Sequence, residues 1–168
     1  RGNIKYLEDR GLIEKSARGV YVLPEVWDDE MFNLQSRFKR GIYSHETALF
    51  LWDLTDRTPN AYSMTFPTNY NLTKPKEENI RCVQCKEALY DLGVAEVLTP
   101  GGNTVRAYRV ERTLCDILRP HSHVDIQVVT EAFKRYATRT DKNIPVLSEY
   151  AKTLKVEKKL RAYLEVLL

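Results

Sequence analysis

The first two dozen residues contain a helix, a hairpin and a proline, and this order of elements constrains the fold most. Ile4 and Leu7 lie on one face of a predicted helix that ends at Gly11, a residue suited to a left-handed cap. Residues 12–15 and 20–23 are predicted strands around a turn at 16–19, and Pro24 ends the unit. Because Arg1 already lies inside this pattern, we expect the beginning of the unit to be missing.

Strand and helix signals alternate through the rest of the chain. Apolar spacing predicts helices at 31–38, 46–54, 86–92, 111–118, 124–136, 144–154 and 156–168. Strands are predicted at 41–43, 61–66, 80–85, 94–98 and 105–110, with a loop at 68–79 and a hairpin turn at 100–103. The prediction is an α+β fold in which a mixed strand and helix domain ends in a helical tail.

Composition limits the class of protein. Hydrophobic residues make up 43% of the chain, whereas Gly and Pro number only seven each, so a packed core is expected. No apolar run approaches the roughly 20 residues of a membrane helix. Three cysteines do not indicate a disulfide framework, and a reducing cytoplasm is the simplest setting. A net charge of +3 permits nucleic-acid binding without establishing it.

The N-terminal pattern resembles the second half of a winged helix-turn-helix domain. In such domains one helix presents a polar face to the major groove, and a hairpin wing contacts phosphates. The predicted DNA-binding residues are Arg1, Asn3, Lys5, Lys15, Arg18 and Tyr21. The same helix and hairpin also fit an ordinary part of a larger α+β core, or a winged domain that binds protein.

Three motifs in order resemble the AbiEi family of abortive-infection antitoxins. The first is the wing from Arg18 to Leu23, and the second runs from Tyr43 to Leu49 and is similar to S-x-x-T-A-L. The third runs from Val110 to Leu118 and is similar to E-R-T-L-x-D-[LI]-L. Each motif is weak alone, whereas their order across residues 1–118 is fairly specific.

The resemblance implies a regulator of a type IV toxin–antitoxin system in phage defence. Its winged domain would bind inverted repeats in double-stranded DNA upstream of its own operon, with two protomers on the site, and repress transcription. Its C-terminal domain would neutralise a nucleotidyltransferase-like toxin without a stable complex. The domains would be residues 1–24 (truncated winged domain), 25–40 (linker with a connecting helix) and 41–168 (antitoxin domain). The alternative is a protein-interaction module that binds the toxin or another partner directly.

A pair of cysteines is a candidate metal site. Cys82 and Cys85 form a C-x-x-C pair, but zinc needs four ligands, and Cys115, His45, His121 and His123 have no finger spacing. Residues 82 and 85 of one strand would also point to opposite faces. We expect small semi-buried thiols there, with no metal and no cofactor.

The acidic residues of the third motif are candidates for an enzyme. Glu111 and Asp116 resemble a catalytic pair, yet Asp116 is placed to pair with Arg112 at i, i+4, and Glu111 is expected just before the helix. The sequence has no Ser/His/Asp arrangement or phosphate loop. We therefore expect a structural role for both carboxylates and no catalytic activity.

Basic residues outside the N-terminal unit suggest a second contact to nucleic acid. They are Arg37, Lys39, Arg40, Lys134, Arg135, Arg139, Lys155, Lys158 and Lys159. Solvated helix faces are the common explanation for such runs, and phosphate contacts are the alternative.

Overall fold

A computed structural model of the protein describes residues 29–167, together with the backbone of residues 14–17 and 20–22. The described strands are β1 (Glu14–Ala17), β2 (Val20–Val22), β3 (Ile42–Tyr43), β4 (Ser63–Pro67), β5 (Arg81–Cys85), β6 (Val94–Leu98) and β7 (Thr104–Tyr108). The described helices are α1 (Glu30–Arg37), α2 (His45–Leu51), α3 (Thr73–Glu77), α4 (Glu87–Tyr90), α5 (Val110–Asp116), α6 (Ile126–Ala137), α7 (Ile144–Thr153) and α8 (Glu157–Leu167). The α+β class is confirmed.

The strands form two sheets. β1 and β2 pair antiparallel, so the predicted hairpin is present, but Ser16 and Ala17 belong to β1 rather than to the predicted turn. The other five strands form a mixed sheet in the order β5-β4-β3-β7-β6, in which β3 and β7 are parallel, as are β4 and β5. β5 and β6 are therefore the edge strands of the larger sheet. The winged domain and the boundaries at residues 24 and 40 stay predictions.

The two faces of the five-stranded sheet enter different cores because neighbouring residues of a strand point to opposite sides. Tyr43 packs with Met31 and Leu34 of α1, and its hydroxyl donates to the carbonyl of Met31 at 2.8 Å. Ile42 packs on the opposite side with Tyr90 and Tyr108. The sheet thus has α1 on one face and Tyr90 of α4 on the other.

The largest core belongs to helices alone. Leu49 of α2, Leu114 of α5, Phe133 of α6, Leu147 of α7 and Leu160 of α8 meet in one cluster, and all five are buried. The predicted helical tail is confirmed as α6 to α8 and packs on α5. Within the described residues, no helix combines the length and the apolar character needed to cross a membrane.

A buried carboxylate fixes the start of α1. Asp29 caps the helix by accepting from the amide of Phe32 at 3.2 Å. Its other oxygen accepts from the hydroxyl of Thr99 and from the side-chain amide of Asn103 at 2.8 Å. Thr99 and Asn103 flank the turn between β6 and β7, so one side chain joins α1 to that hairpin.

One predicted loop and one predicted strand boundary are wrong. The segment predicted as a loop contains α3, whose first amide, that of Thr73, donates to the side chain of Asn71 at 3.0 Å. Val110 was predicted to end a strand but begins α5, because β7 stops at Tyr108.

Candidate functional site

The second and third motifs meet in space. α2 begins after Ser44, and its Thr47 hydroxyl accepts from the amide of Ser63 at 2.8 Å, which ties the helix to β4. In α5 the hydroxyl of Thr113 donates to the carbonyl of Tyr108 at 3.2 Å and ties that helix to β7. α2 and α5 pack on each other. Both threonines of the motifs therefore anchor a helix to the sheet.

The polar residues of the third motif have structural partners. Arg112 Nε donates to Asp116 Oδ2 at 3.0 Å, as the i, i+4 spacing predicts, and both side chains are 2% exposed. The guanidinium also donates to the carbonyls of Leu89 and Leu92, and it lies over the ring of Tyr108 at 4.1 Å. The partners of this cation join α5 to α4 and to the residues that follow α4.

Glu111 lies in the first turn of α5 and not before the helix as predicted. Its carboxylate accepts from the hydroxyl of Tyr136 at 2.8 Å and lies 3.8 Å from Arg109. The Tyr136 hydroxyl also accepts from the amide of Asn143. Glu111 thus links α5 to α6 and to the start of α7.

A cleft of about 610 Å³ lies beside the edge strand β5 and next to these motifs. Four parts of the chain line it: the start of α2, the first residue of β4, the strand β5 and the loop that follows α5. Its lining residues are His45, Glu46, Ser63, Arg81, Cys82, Val83, Gln84, Arg119, His121, Ser122, His123 and Val124. We call it the histidine–arginine cleft.

The lining side chains differ in whether they have a partner among the described residues. Within the described residues, neither Arg81 nor Arg119 makes a side-chain hydrogen bond or a salt bridge. The amide of Gln84, by contrast, donates to the carbonyls of Thr68 and Tyr70, and the Ser122 hydroxyl donates to Ile117. Two guanidinium groups therefore stay available to an anion in the cleft, where Glu46 supplies a carboxylate.

His45 is held by a chain of hydroxyl groups. Thr65 Oγ1 donates to Ser44 Oγ at 2.9 Å, and Ser44 Oγ lies 3.0 Å from His45 Nδ1. Burial lowers the pKa of His45, and Arg112 and Arg119 act in the same direction, whereas Asp116 opposes them. The imidazole is therefore neutral near pH 7. Its backbone is left-handed, with φ 52°, as is that of His123 with φ 54°.

The cysteines do not assemble a site. Cys82 lines the cleft while Cys85 is buried on the other face of β5, as strand alternation predicts. Burial raises the pKa of all three thiols, that of Cys115 to about 12, so they are protonated at neutral pH. In the part of the chain that the structure describes, no three His, Cys, Asp or Glu side chains are grouped to hold a metal ion.

The predicted second basic contact divides into two groups. Arg37 pairs with Glu78 at 2.6 Å, Arg135 pairs with Asp56 at 2.6 Å, and Arg139 pairs with Asp141 through two hydrogen bonds. The remaining six residues have no acidic partner within the described residues: Lys39, Arg40, Lys134, Lys155, Lys158 and Lys159. Of these, Arg40 lies over the Tyr90 ring, and Lys159 donates to the carbonyl of Leu118 at 3.0 Å.

Four lysines gather around Pro120. Lys152, Lys155, Lys158 and Lys159 line a second cleft of about 400 Å³ with Pro120, Val156 and Glu157. We call them the lysine cluster. Because Arg119 and His121 flank Pro120 and line the histidine–arginine cleft, the two clefts lie on either side of one short loop.

The predicted N-terminal contacts fall largely outside the described residues. Arg1, Asn3, Lys5 and Arg18 lie there, and of Lys15 and Tyr21 only the backbone is described. Lys15 and Tyr21 are directly paired between β1 and β2. The sequence did not single out Arg81 and Arg119, because residues 38 positions apart carry no shared local pattern.

Comparisons with known proteins give one structural neighbour to report. No family model and no curated protein matches the sequence. Among solved structures, the chain is similar to the crystal structure of the RV2827C protein from Mycobacterium tuberculosis, with a TM-score of 0.53 and 14% identity. The match covers 90% of this chain and 59% of that protein, so this chain spans well under two thirds of its neighbour. At this identity the likeness concerns the fold alone.

Proposed function

We propose that this chain is a DNA-binding antitoxin of the AbiEi kind. It represses its own operon through inverted repeats, and its C-terminal domain neutralises a nucleotidyltransferase-like toxin without a stable complex and without catalysis. The observation that carries the proposal is the ordered set of three motifs. In support, Thr47 and Thr113, one from each of the last two motifs, anchor packed helices to one sheet.

The proposal assigns base and phosphate contacts to Arg1, Asn3, Lys5, Lys15, Arg18 and Tyr21. The paired strands β1 and β2 have the arrangement that a wing requires. A cation with an acidic partner has less net charge to offer a phosphate, whereas lysines gathered at one cleft add their charges. This supports a single position for the second contact. We assign it to Lys152, Lys155 and Lys158 of the lysine cluster, whose ammonium groups have no partner among the described residues.

A salt titration tests the second contact. Each phosphate contact that is lost lowers the slope of log K against log salt by about 0.9. Lys152→Gln, Lys155→Gln and Lys158→Gln together should therefore lower the slope by about 2.7. The matched control replaces the exposed Lys74, Lys76 and Lys86 with Gln and should leave the slope unchanged. Equal slopes for the two triple variants would remove the lysine cluster from the interface.

A growth assay tests neutralisation. The complete gene product is co-expressed with the nucleotidyltransferase-like protein encoded beside it, and we expect growth to be rescued. Affinity purification of the tagged toxin should not retain the antitoxin at micromolar concentration. Rescue with a retained stable complex would instead favour the interaction module, and absence of rescue would refute the antitoxin assignment.

A further inference from the structure

We propose that the histidine–arginine cleft binds a nucleoside phosphate, with the phosphates on Arg81 and Arg119 and the nucleoside towards Glu46. Among the described residues, this cleft shares no lining residue with the lysine cluster. Its volume of about 610 Å³ lies within the roughly 300–1,000 Å³ typical of small-molecule sites.

The two arginines supply the anion-binding groups. A guanidinium presents a planar fork of donors that matches phosphate oxygens, so Arg residues recur where phosphate is bound. Arg81 and Arg119 keep these donors free within the described residues, whereas Arg37, Arg135 and Arg139 are each committed to a carboxylate. Two free cations in one concave site favour a di- or polyphosphate over a single carboxylate.

Main-chain hydrogen bonds hold the backbone of both arginines in place. The amide of Arg81 donates to the carbonyl of Tyr62 at 2.8 Å, at the point where β5 begins to pair with β4. The amide of Arg119 donates to the carbonyl of Asp116 at 3.1 Å, and Arg119 in turn accepts from the amide of Ser122. A site whose backbone is fixed in advance loses less entropy when a ligand binds.

The opposite wall offers groups for a nucleoside. Because Thr65 donates to Ser44, the hydrogen of Ser44 is free to donate to His45 Nδ1, which places the imidazole proton on Nε2 as a donor. Glu46 is an acceptor for a ribose hydroxyl or a base amino group. A carboxylate would repel inorganic phosphate, so its presence indicates a ligand that carries donors as well as negative charge.

Apolar surface and strained backbone complete the site. Val83 and Val124 provide a wall against which a base could lie. His45 and His123 both have left-handed backbone, which is uncommon for residues other than glycine. Such conformations cluster at ligand-binding sites, where the surrounding structure maintains them. Two of them on one cleft are an observation independent of its charge.

Calorimetric titration of the protein with ATP tests the proposal at physiological salt. We expect saturable binding that weakens at least tenfold in Arg81→Gln and in Arg119→Gln. The matched control is Arg161→Gln, which removes the same charge from an exposed position on α8 and should change the affinity less than twofold. Far-UV circular dichroism and the thermal midpoint of each ligand-free variant establish that it folds. Absence of ATP binding, or equal weakening in all three folded variants, would overturn the proposal.

Two further titrations compare ATP with pyrophosphate and with duplex DNA as ligands of the cleft. ATP should bind at least tenfold more tightly than pyrophosphate, and Glu46→Gln should reduce that preference. Equal affinities would show that the cleft does not recognise a nucleoside. A short duplex of unrelated sequence should leave ATP binding unchanged, whereas stoichiometric displacement by the duplex would assign the cleft to the DNA-binding surface and overturn the proposal.

Discussion

Neutralising the buried carboxylate of the third motif should destabilise the fold strongly. Asp116 is the charge partner of Arg112, and the two side chains are each 2% exposed. Removing one member of a buried ion pair costs roughly 3–5 kcal/mol, because the other charge stays buried without compensation. Arg112 would still donate to the carbonyls of Leu89 and Leu92. We therefore expect Asp116→Asn to lower the free energy of unfolding by about 3 kcal/mol, near the lower end of that range.

The chain provides a matched control for this substitution. Arg135 and Glu131 have the same i, i+4 spacing and the same 3.0 Å separation as Arg112 and Asp116, but their side chains are 28% and 50% exposed. Glu131→Gln should change stability by no more than about 0.5 kcal/mol, since exposed helix pairs contribute little. Arg135 also keeps Asp56 as a partner, so the difference between the variants measures the cost of leaving a buried cation without its carboxylate.

Urea unfolding followed by circular dichroism measures both variants, with linear extrapolation to water. The double variant Arg112→Met with Asp116→Leu should cost less than the sum of its single substitutions by about 2 kcal/mol, because no charge is left buried. A loss below about 1 kcal/mol for Asp116→Asn, or additive effects in the double variant, would refute the reasoning.

Two further predictions concern His45 and Asp29. Burial lowers the pKa of His45 below the ordinary 6.5, so the unfolded chain takes up this proton first and stability falls as the pH drops below 6.5. His45→Asn should flatten the pH dependence of the urea midpoints below pH 6.5, and asparagine tolerates the left-handed backbone at this position. His123→Asn has the same backbone at an exposed site and should retain the pH dependence, so equal slopes in both variants would contradict the explanation. Asp29→Ala should lower the free energy of unfolding by about 3 kcal/mol, since it removes a helix cap and the acceptor of two further hydrogen bonds. Asp29→Asn keeps the cap but replaces the Oδ2 acceptor with an amide donor, so it should still cost about 2 kcal/mol in the same urea assay. A loss below about 0.5 kcal/mol for Asp29→Asn would argue against the link to Thr99 and Asn103.

Local pattern predicted most of the elements. The helices α6 to α8 follow from apolar residues three and four apart, and the β6–β7 hairpin follows from Pro100 to Asn103 between alternating strands. The pairing of Arg112 with Asp116 follows from helical spacing. α3 was missed because its five residues are polar and carry no apolar period.

Features that depend on distant residues could not be predicted. The sheet order places β7 beside β3, and no local signal encodes that pairing. Arg135 had the sequence context of a free cation, yet its partner Asp56 comes from another part of the chain. The histidine–arginine cleft joins four segments whose residues have unrelated local patterns. Burial and charge pairing therefore had to come from the structure.

We propose that this chain belongs to a sequence-specific DNA-binding repressor, and one binding experiment distinguishes this function from its alternative. The complete gene product is titrated onto labelled DNA from upstream of its own gene and onto a scrambled probe, at several salt concentrations. A repressor should bind the upstream probe at least tenfold more tightly at physiological salt, a difference of about 1.4 kcal/mol. Equal and weak binding to both probes would contradict it and favour a protein-interaction module.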